Sequence, residues 1–332
     1  MRSVGYAKAT SWGQASKLLK ANPKARPIAG GSDILGWVKD GIQGKGSPLF
    51  SAFVDIRTVS GSDRIEFSSG DGLKIGALAT LAAIEAHADV QKSYPLLAKA
   101  AGAAASPNIR HAGTIGGNVN QRPRCWFLRN TEFDCYKKGG DQCFAVTGNN
   151  TYHAILGGEK CFIVHPSDTA PALIALNATA LISTPGGNKS VPFDHYFIGP
   201  REDILRENIL QQGDLLAEVH IPTPKAGTGM SFIKAQRRGQ TYDFALANVA
   251  SVITRDSGGK VTDARIVLSG VAPTPYRATK AEDAIKGQTV DAKLAAEAAT
   301  AALADARPMT NNAYKVGLAK TLVARSILEA TA

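Results

Sequence analysis

The four cysteines of this chain stand close together in the sequence. Cys125, Cys135, Cys143 and Cys161 are separated by 9, 7 and 17 residues. We expect no secretory signal at the amino terminus, and a chain kept in a reducing compartment has little use for disulfides, so shared ligation is the economical interpretation. Four thiolates can hold either a zinc ion or an iron–sulfur cluster. The lack of a CxxC pair favours iron, and free buried thiols are a third interpretation.

Two glycine-rich turns could hold the phosphates of a nucleotide. They have the sequences AGGSD, beginning at Ala29, and AGTIGGN, beginning at Ala112. Glycine allows a positive φ and lets a phosphate approach backbone N–H groups, while Ser32, Thr114 and Asn118 add side-chain donors. Either turn alone is more often an ordinary turn. The sequence contains neither GxGxxG nor GxxxxGK[ST], which disfavours a Rossmann domain and a P-loop.

The elements around these motifs indicate three successive units. Residues 1–58 are typical of a small α/β unit, in which a strand runs into AGGSD and Ser32-Asp33 resembles an N-cap of the following helix. Residues 59–223 predict a second unit with helices and strands, including strands near Cys161–Val164 and at Leu215–Ile221. Residues 224–332 predict strands followed by alanine-rich helices. The long polar stretch at 121–152 has no regular periodicity, which is typical of a functional connection.

Composition excludes several classes of protein. The chain has 332 residues, 44% of them hydrophobic and 20% charged, which is sufficient for a large core. Its net charge of +10 is scattered, with local concentrations such as Arg122–Arg129, and it accompanies no nucleic-acid recognition motif. No apolar run reaches the length of a transmembrane helix. The histidines show no catalytic spacing, and only His111 and His165 stand beside a candidate loop.

Taken together, the motifs resemble those of one known family. AGGSD, AGTIGGN, HPSDTAPALIAL from His165 and SGVAPTPYRA from Ser269 occur in this order. In this order they are similar to the FAD-binding medium subunits of molybdenum hydroxylases, a family that includes xanthine dehydrogenase, carbon monoxide dehydrogenase and aldehyde oxidoreductase. The resemblance implies an α+β fold, with two α/β subdomains clasping FAD in the vanillyl-alcohol-oxidase manner. It also implies a C-terminal domain with a three-stranded antiparallel sheet and helices.

The resemblance also assigns residues to cofactors. The two turns would bind the FAD pyrophosphate, with Asp168 near the nucleotide and Leu216 and Lys234 approaching the flavin ring. The residues assigned to FAD within and beside the turns are Pro27, Ile28, Ala29, Gly30, Gly31, Ser32, Asp33, Ile34, Thr114, Ile115, Gly116, Gly117 and Asn118. The cysteine-bearing segment 121–161 is similar to that of a subgroup resembling the periplasmic aldehyde oxidoreductase. This similarity implies that the four cysteines ligate a [4Fe–4S] cluster, which we expect to order the polar stretch.

In the implied complex, a large molybdenum-cofactor subunit oxidises an aldehyde or heteroaromatic substrate. A small [2Fe–2S] subunit passes the electrons to this chain, whose FAD delivers them to an acceptor. By its own sequence the chain is expected in the cytoplasm, and co-export with a signal-bearing partner would place it in the periplasm. The alternatives are a non-catalytic zinc-binding interaction module and a stand-alone flavin oxidase, for which we find no substrate-domain residues.

Overall fold

A computed structural model describes residues 3–332. Its first sheet has three parallel strands in the order β1-β3-β2. The strands are β1 (Gly5–Lys8), β2 (Ala25–Ile28) and β3 (Ala52–Asp55), and the helices between them are α1 (Trp12–Ala21) and α2 (Ile34–Lys39). Helix α1 begins after Ser11, whose side chain accepts a hydrogen bond from the backbone N–H of Gln14. Strand β2 therefore delivers the chain directly into the first glycine turn.

The second sheet has five antiparallel strands in the order β4-β5-β8-β6-β7. They are β4 (Ile65–Ser68), β5 (Gly72–Gly76), β6 (Thr179–Thr184), β7 (Gly187–Pro192) and β8 (Leu215–Ile221). The helices of this part are α3 (Leu81–Ala86), α4 (Ala88–Ser93), α5 (Pro95–Gly102), α6 (Pro107–Ala112), α7 (Ile115–Val119) and α8 (Thr169–Ala175). Strand β8 lies between β5 and β6 and pairs with both. In the chain, β5 and β6 are separated by a connection of 102 residues. That connection carries the second glycine turn and all four cysteines.

The third sheet has four antiparallel strands, β9 (Thr228–Ala235), β10 (Ala247–Arg255), β11 (Val261–Ser269) and β12 (Tyr276–Arg277). The expected three-stranded sheet therefore needs a correction, because the chain adds the two-residue strand β12 at the edge beyond β11. Three helices follow, namely α9 (Thr279–Ile285), α10 (Ala292–Ala302) and α11 (Tyr314–Thr331). Their alanine-rich faces pack against one side of this sheet in a shared apolar core. No helix within residues 3–332 is both long enough and apolar enough to span a bilayer.

The predicted strand near Cys161–Val164 is wrong. Its run of apolar residues is the pattern from which we inferred a strand, and these residues are buried or half-buried in turn. The segment has no strand partner, and the carbonyl of Phe162 accepts an isolated hydrogen bond from the N–H of Ala154 instead. The rest of the cysteine segment is equally irregular, with one 3₁₀ turn at Tyr136–Lys138. A second 3₁₀ turn lies at Phe193–His195.

Candidate functional site

The two glycine turns lie against each other, backbone to backbone. A Cβ atom added to Gly30 would lie 1.8 Å from the carbonyl oxygen of Ala112 and 3.2 Å from the nitrogen of Gly113. Gly31 has a φ of +72°, in the region that favours glycine. The motifs that we linked from the sequence are therefore in direct contact, and residue 30 must be glycine for this contact to form.

A cavity opens beside the paired turns. Seven of the residues predicted to bind the cofactor line it, namely Ser32, Asp33, Thr114, Gly117, Asn118, Asp168 and Lys234. Further lining residues, which the sequence analysis did not name, include Ala105, Gln121, Arg124, Tyr242, Asp243 and Phe244. The cavity thus brings together residues from all three predicted units.

Nine predicted residues lie outside this lining. Six of them belong to β2, the first turn or the start of α2, namely Pro27, Ile28, Ala29, Gly30, Gly31 and Ile34. Ile115 is fully buried, and a Cβ on Gly116 would meet the carbonyl oxygen of Ala77 at 2.8 Å, so both residues support the turn from behind. Leu216 lies in the core of the second sheet, opposite Ile182.

The second glycine turn is held by its own side chains. Thr114 caps α7, because its Oγ1 accepts a hydrogen bond from the N–H of Gly117 at 3.1 Å. The Oδ1 atom of Asn118 accepts hydrogen bonds from Ser167 Oγ at 2.5 Å and from Thr169 Oγ1 at 2.7 Å. The second turn is therefore fixed to the start of helix α8. Since the oxygen of Asn118 is engaged, its amide nitrogen is the atom that can serve a ligand.

Asp168 and Lys234 form a buried ion pair at the cavity wall. Lys234 Nζ donates to Asp168 Oδ2 at 2.7 Å and to the carbonyl oxygen of Ala103 at 2.7 Å. Asn248 Nδ2 donates to the other carboxylate oxygen at 2.8 Å. Burial raises the pKa of Asp168, and the positive charge of Lys234 opposes this increase. The pair holds an ammonium group at the cavity without leaving its charge uncompensated.

Asp33 does not cap helix α2, which corrects the N-cap prediction. Its carboxylate instead accepts hydrogen bonds from the N–H of Arg122 at 2.8 Å, from Arg129 Nη2 at 2.7 Å and from Arg124 Nη1. Burial raises the pKa of Asp33, but the charges of Arg124 and Arg129 outweigh burial, and the net pKa is lowered. Asp33 therefore ties the first glycine turn to the segment that carries the cysteines.

A second cavity is lined by all four cysteines. None of them forms a disulfide. His153 also lines this cavity, with its Nε2 atom 3.2 Å from Cys125 Sγ. Within the described range 3–332, no three or more His, Cys, Asp or Glu side chains are grouped so that they could hold a metal ion. The four cysteines thus share one cavity.

The cavity disfavours several thiolates at once. Burial raises the pKa of Cys125 to about 12 and also raises the pKa of Cys135. The pKa of Cys143 is lowered, because the Cys161 thiol donates a hydrogen bond to it. Four thiolates in such surroundings would require compensating positive charge. Lys137, which also lines the cavity, would add to it.

The cysteine segment is better ordered than its polar composition predicts. Glu207 is half-buried and accepts ion-pair contacts from Arg122 at 2.9 Å and from Lys137 at 3.1 Å. The rings of Phe127, Phe133 and Phe144 pack against one another, with centroids 5.0–6.2 Å apart. The expectation that a cluster is the main element ordering residues 121–152 therefore needs revision, since ion pairs and aromatic packing contribute as well.

His111 and His165, the two histidines that stand beside candidate loops in the sequence, do not line the cavity beside the glycine turns. His165 is buried against the ring of Phe197, with centroids 4.6 Å apart, and burial lowers its pKa to about 4. Its backbone N–H donates to the carbonyl of Ala272. His111 is exposed at the end of α6. His165 is thus a neutral core residue that joins the second and third parts of the chain.

Comparisons with known proteins agree along the whole chain. Residues 2–224 match the model of the FAD binding domain in molybdopterin dehydrogenase, and residues 231–330 match that of the CO dehydrogenase flavoprotein C-terminal domain. The aldehyde oxidoreductase FAD-binding subunit PaoB of Escherichia coli (strain K12) is 32% identical over 335 aligned positions, covering 100% of this chain and 99% of the relative. The carbon monoxide dehydrogenase medium chain of Hydrogenophaga pseudoflava is 29% identical over 78% of this chain and 74% of its own length.

Solved structures show the same fold. Carbon monoxide dehydrogenase from Hydrogenophaga pseudoflava superposes with a TM-score of 0.76 at 27% identity, covering 99% of this chain and 97% of the other. Quinoline 2-oxidoreductase from Pseudomonas putida 86 gives a TM-score of 0.75 at 26% identity, with the same coverage. The α+β architecture, the glycine turns and the match over both parts of the chain lead to one assignment. The chain belongs to the FAD-binding subunits of the molybdenum hydroxylases and is an oxidoreductase component.

Proposed function

We propose that this chain binds one FAD and one [4Fe–4S] cluster and transfers electrons within a heterotrimeric molybdenum hydroxylase of the aldehyde oxidoreductase or xanthine dehydrogenase type. Its partners would be a large molybdenum-cofactor subunit and a small [2Fe–2S] subunit. The observation that carries the proposal is the presence of two separate cavities, one beside the paired glycine turns and one lined by four cysteines. The boundaries 1–58, 59–223 and 224–332 remain our proposal for the domains.

The first cavity fits the phosphates of FAD. Gly117 lines it with little side-chain obstruction, because the only atom within 4 Å of an added Cβ is Thr114 Oγ1, at 3.2 Å. Backbone N–H groups at such a glycine and the donors of Ser32 and Asn118 suit a pyrophosphate. Lys234, neutralised by Asp168, would lie on the flavin side. The remaining predicted residues hold the turns and the sheet behind them in place.

The second cavity supplies four thiols for one cofactor. All four cysteines line it, and four thiolates are the usual ligand set of an iron–sulfur cluster. The sequence lacks the CxxC pair of zinc ribbons, which favours a cluster over a zinc ion. Cys125, Cys135, Cys143 and Cys161 would be its ligands.

Each cofactor suits one part of electron transfer. When bound, the cluster would exchange single electrons, and FAD would accept electrons singly and release them in pairs. The chain itself positions the two groups and sets their electrostatic surroundings. At the second cavity the positive charge of Lys137 favours the negative charge of ligated thiolates, whereas the charge of Lys234 at the first cavity is already balanced by Asp168. The substrate is bound elsewhere in the proposed complex.

Co-purification tests the place of this chain in a complex. The full chain, tagged and produced together with the genes that neighbour it, should bring down a large molybdenum-containing chain and a small iron–sulfur chain in equal amounts. Mass spectrometry and molybdenum analysis of the eluate measure both, and cells carrying the untagged chain are the control. Elution of the folded, flavin-containing chain without molybdenum would contradict the proposed assembly.

A further inference from the structure

Arg124 stands between the two cavities. It directly precedes Cys125, which lines the cysteine cavity, and its own side chain lines the cavity beside the glycine turns. Gln121 is the one other residue of the cysteine segment that lines the cavity beside the glycine turns. Arg124 therefore links the two cavities within two residues of the chain. It lines the proposed flavin site, and its neighbour Cys125 is a candidate cluster ligand.

The guanidinium group of Arg124 joins three elements. Nη1 donates to Asp33 Oδ1 on the first glycine turn, and Nη2 donates to Gln121 Oε1 at 3.1 Å. The guanidinium carbon lies 4.7 Å from the ring centroid of Phe244, in the connection between β9 and β10. The Nε atom is buried and has no hydrogen-bond partner in the described part of the chain. The guanidinium group thus has more N–H donors than the two that Asp33 and Gln121 accept, so donors remain for a ligand in the cavity that Arg124 lines.

The backbone around Arg124 is braced on the cysteine side. The N–H of Arg129 donates to the carbonyl of Cys125 at 2.9 Å, and Arg129 Nε donates to the carbonyl of Pro123 at 3.0 Å. Arg129 Nη2 also donates to Asp33, at 2.7 Å. A change in the position of Cys125 must therefore move the turn that carries Arg124, along with its contacts to Asp33.

We infer that Arg124 is a positioning residue that couples cofactor binding at the two cavities. Iron ligation by Cys125 fixes the turn at residues 123–129, which in turn fixes the guanidinium group against Asp33 and Phe244. FAD then meets a site that is already organised. Coupling of this kind is reciprocal, so FAD should also favour retention of iron. The inference rests on the proposed function, since it requires both cofactors.

Dissociation constants for FAD test the coupling directly. They are measured by flavin fluorescence on the full chain in its iron-loaded form and after removal of iron with a chelator. We expect wild-type protein to bind FAD about tenfold more weakly after iron removal, within the usual range for coupled sites. In Arg124→Gln the two forms should bind FAD with the same dissociation constant. Arg124→Lys should keep only part of the difference, because lysine retains the charge but not the planar fork that contacts several groups.

Arg201→Gln is the matched control. Arg201 is largely exposed, and its ion pair with Glu159, at 3.4 Å, touches neither cavity, so this variant should keep the wild-type difference. An unchanged dissociation constant after iron removal from wild type, or a full difference in Arg124→Gln, would overturn the coupling. Failure of the underlying proposal is seen separately, because a purified chain that contains no iron or no flavin contradicts the cofactor assignment before any titration.

Discussion

Replacing Gly30 with alanine is the smallest change that should separate the two glycine turns. The added Cβ would lie 1.8 Å from the carbonyl oxygen of Ala112 and 2.6 Å from its carbonyl carbon. Ordinary carbon–oxygen contacts are about 3.3 Å, so the turns must move apart by roughly 1.5 Å. Because both obstacles are backbone atoms, no side-chain rotation can relieve the overlap.

We expect this displacement to affect both stability and binding. The free energy of unfolding should fall by about 1–3 kcal/mol, the usual cost of overpacking a well-packed interior. FAD affinity should fall at least tenfold, or about 1.4 kcal/mol, because the cavity widens beside Ser32. Urea unfolding of the apoprotein and fluorescence titration with FAD measure the two effects separately.

Gly36→Ala is the matched control for Gly30→Ala. Nothing lies within 4 Å of a Cβ added to Gly36. Alanine within helix α2 should raise stability slightly, by about 0.5–1 kcal/mol, and leave FAD binding unchanged. The reasoning is refuted if Gly30→Ala binds FAD as tightly as wild type and unfolds at the same urea concentration.

Four further changes test other parts of the structure. Gly117→Val should lower the flavin content while the iron content stays constant, because Gly117 lines only the first cavity. Flavin and iron analysis of one preparation measures both contents, and a loss of iron as well would contradict this prediction. Asp168→Ala should lower the free energy of unfolding by about 3–5 kcal/mol, because Lys234 would remain buried without its carboxylate; wild-type stability in urea would argue against a buried pair. Because the pKa of Asp33 is lower in the folded than in the unfolded protein, its carboxylate stabilises the fold fully above the unfolded pKa of about 3.9. This stabilisation is lost as the pH falls through the lower folded pKa. The difference in unfolding free energy between wild type and Asp33→Asn should therefore be constant near neutrality and disappear in acid. Cys143→Ser should remove the iron absorbance yet increase proteolysis within residues 121–152 only modestly, since ion pairs and aromatic contacts persist; complete cleavage there would show that the cluster alone orders the segment.

Sequence reasoning succeeded where the conformation or chemistry of a short motif requires particular residue types. The glycine turns were recognisable because few residues other than glycine permit such close backbone approach, and Gly30 meets this requirement against Ala112. The cysteines were recognisable by their clustering in the chain, and they do line one cavity. Strand β8 was predicted with its observed bounds, Leu215–Ile221, because its apolar residues have the pattern of a buried strand.

Contacts between residues far apart in the chain could not be predicted from such local motifs. Asp33 has the sequence context of an N-cap, but arginines about 90 residues further along bind its carboxylate instead. The concentration of basic residues at 122–129 was visible in the sequence, although nothing local linked it to Asp33 or to Phe244. Leu216 illustrates the opposite case, since a residue assigned to the flavin by resemblance lies in the sheet core. Packing partners of this kind depend on how the chain folds as a whole.

Cofactor stoichiometry of the purified full chain tests the central claim most directly. Absorption spectroscopy, flavin analysis after denaturation, and metal analysis should be performed on the same sample. The account predicts one FAD and four iron atoms per chain, with flavin bands and a broad brown shoulder from the cluster. A colourless chain that contains stoichiometric zinc, or a flavin-containing chain with no iron, would contradict the claim that this subunit carries both cofactors.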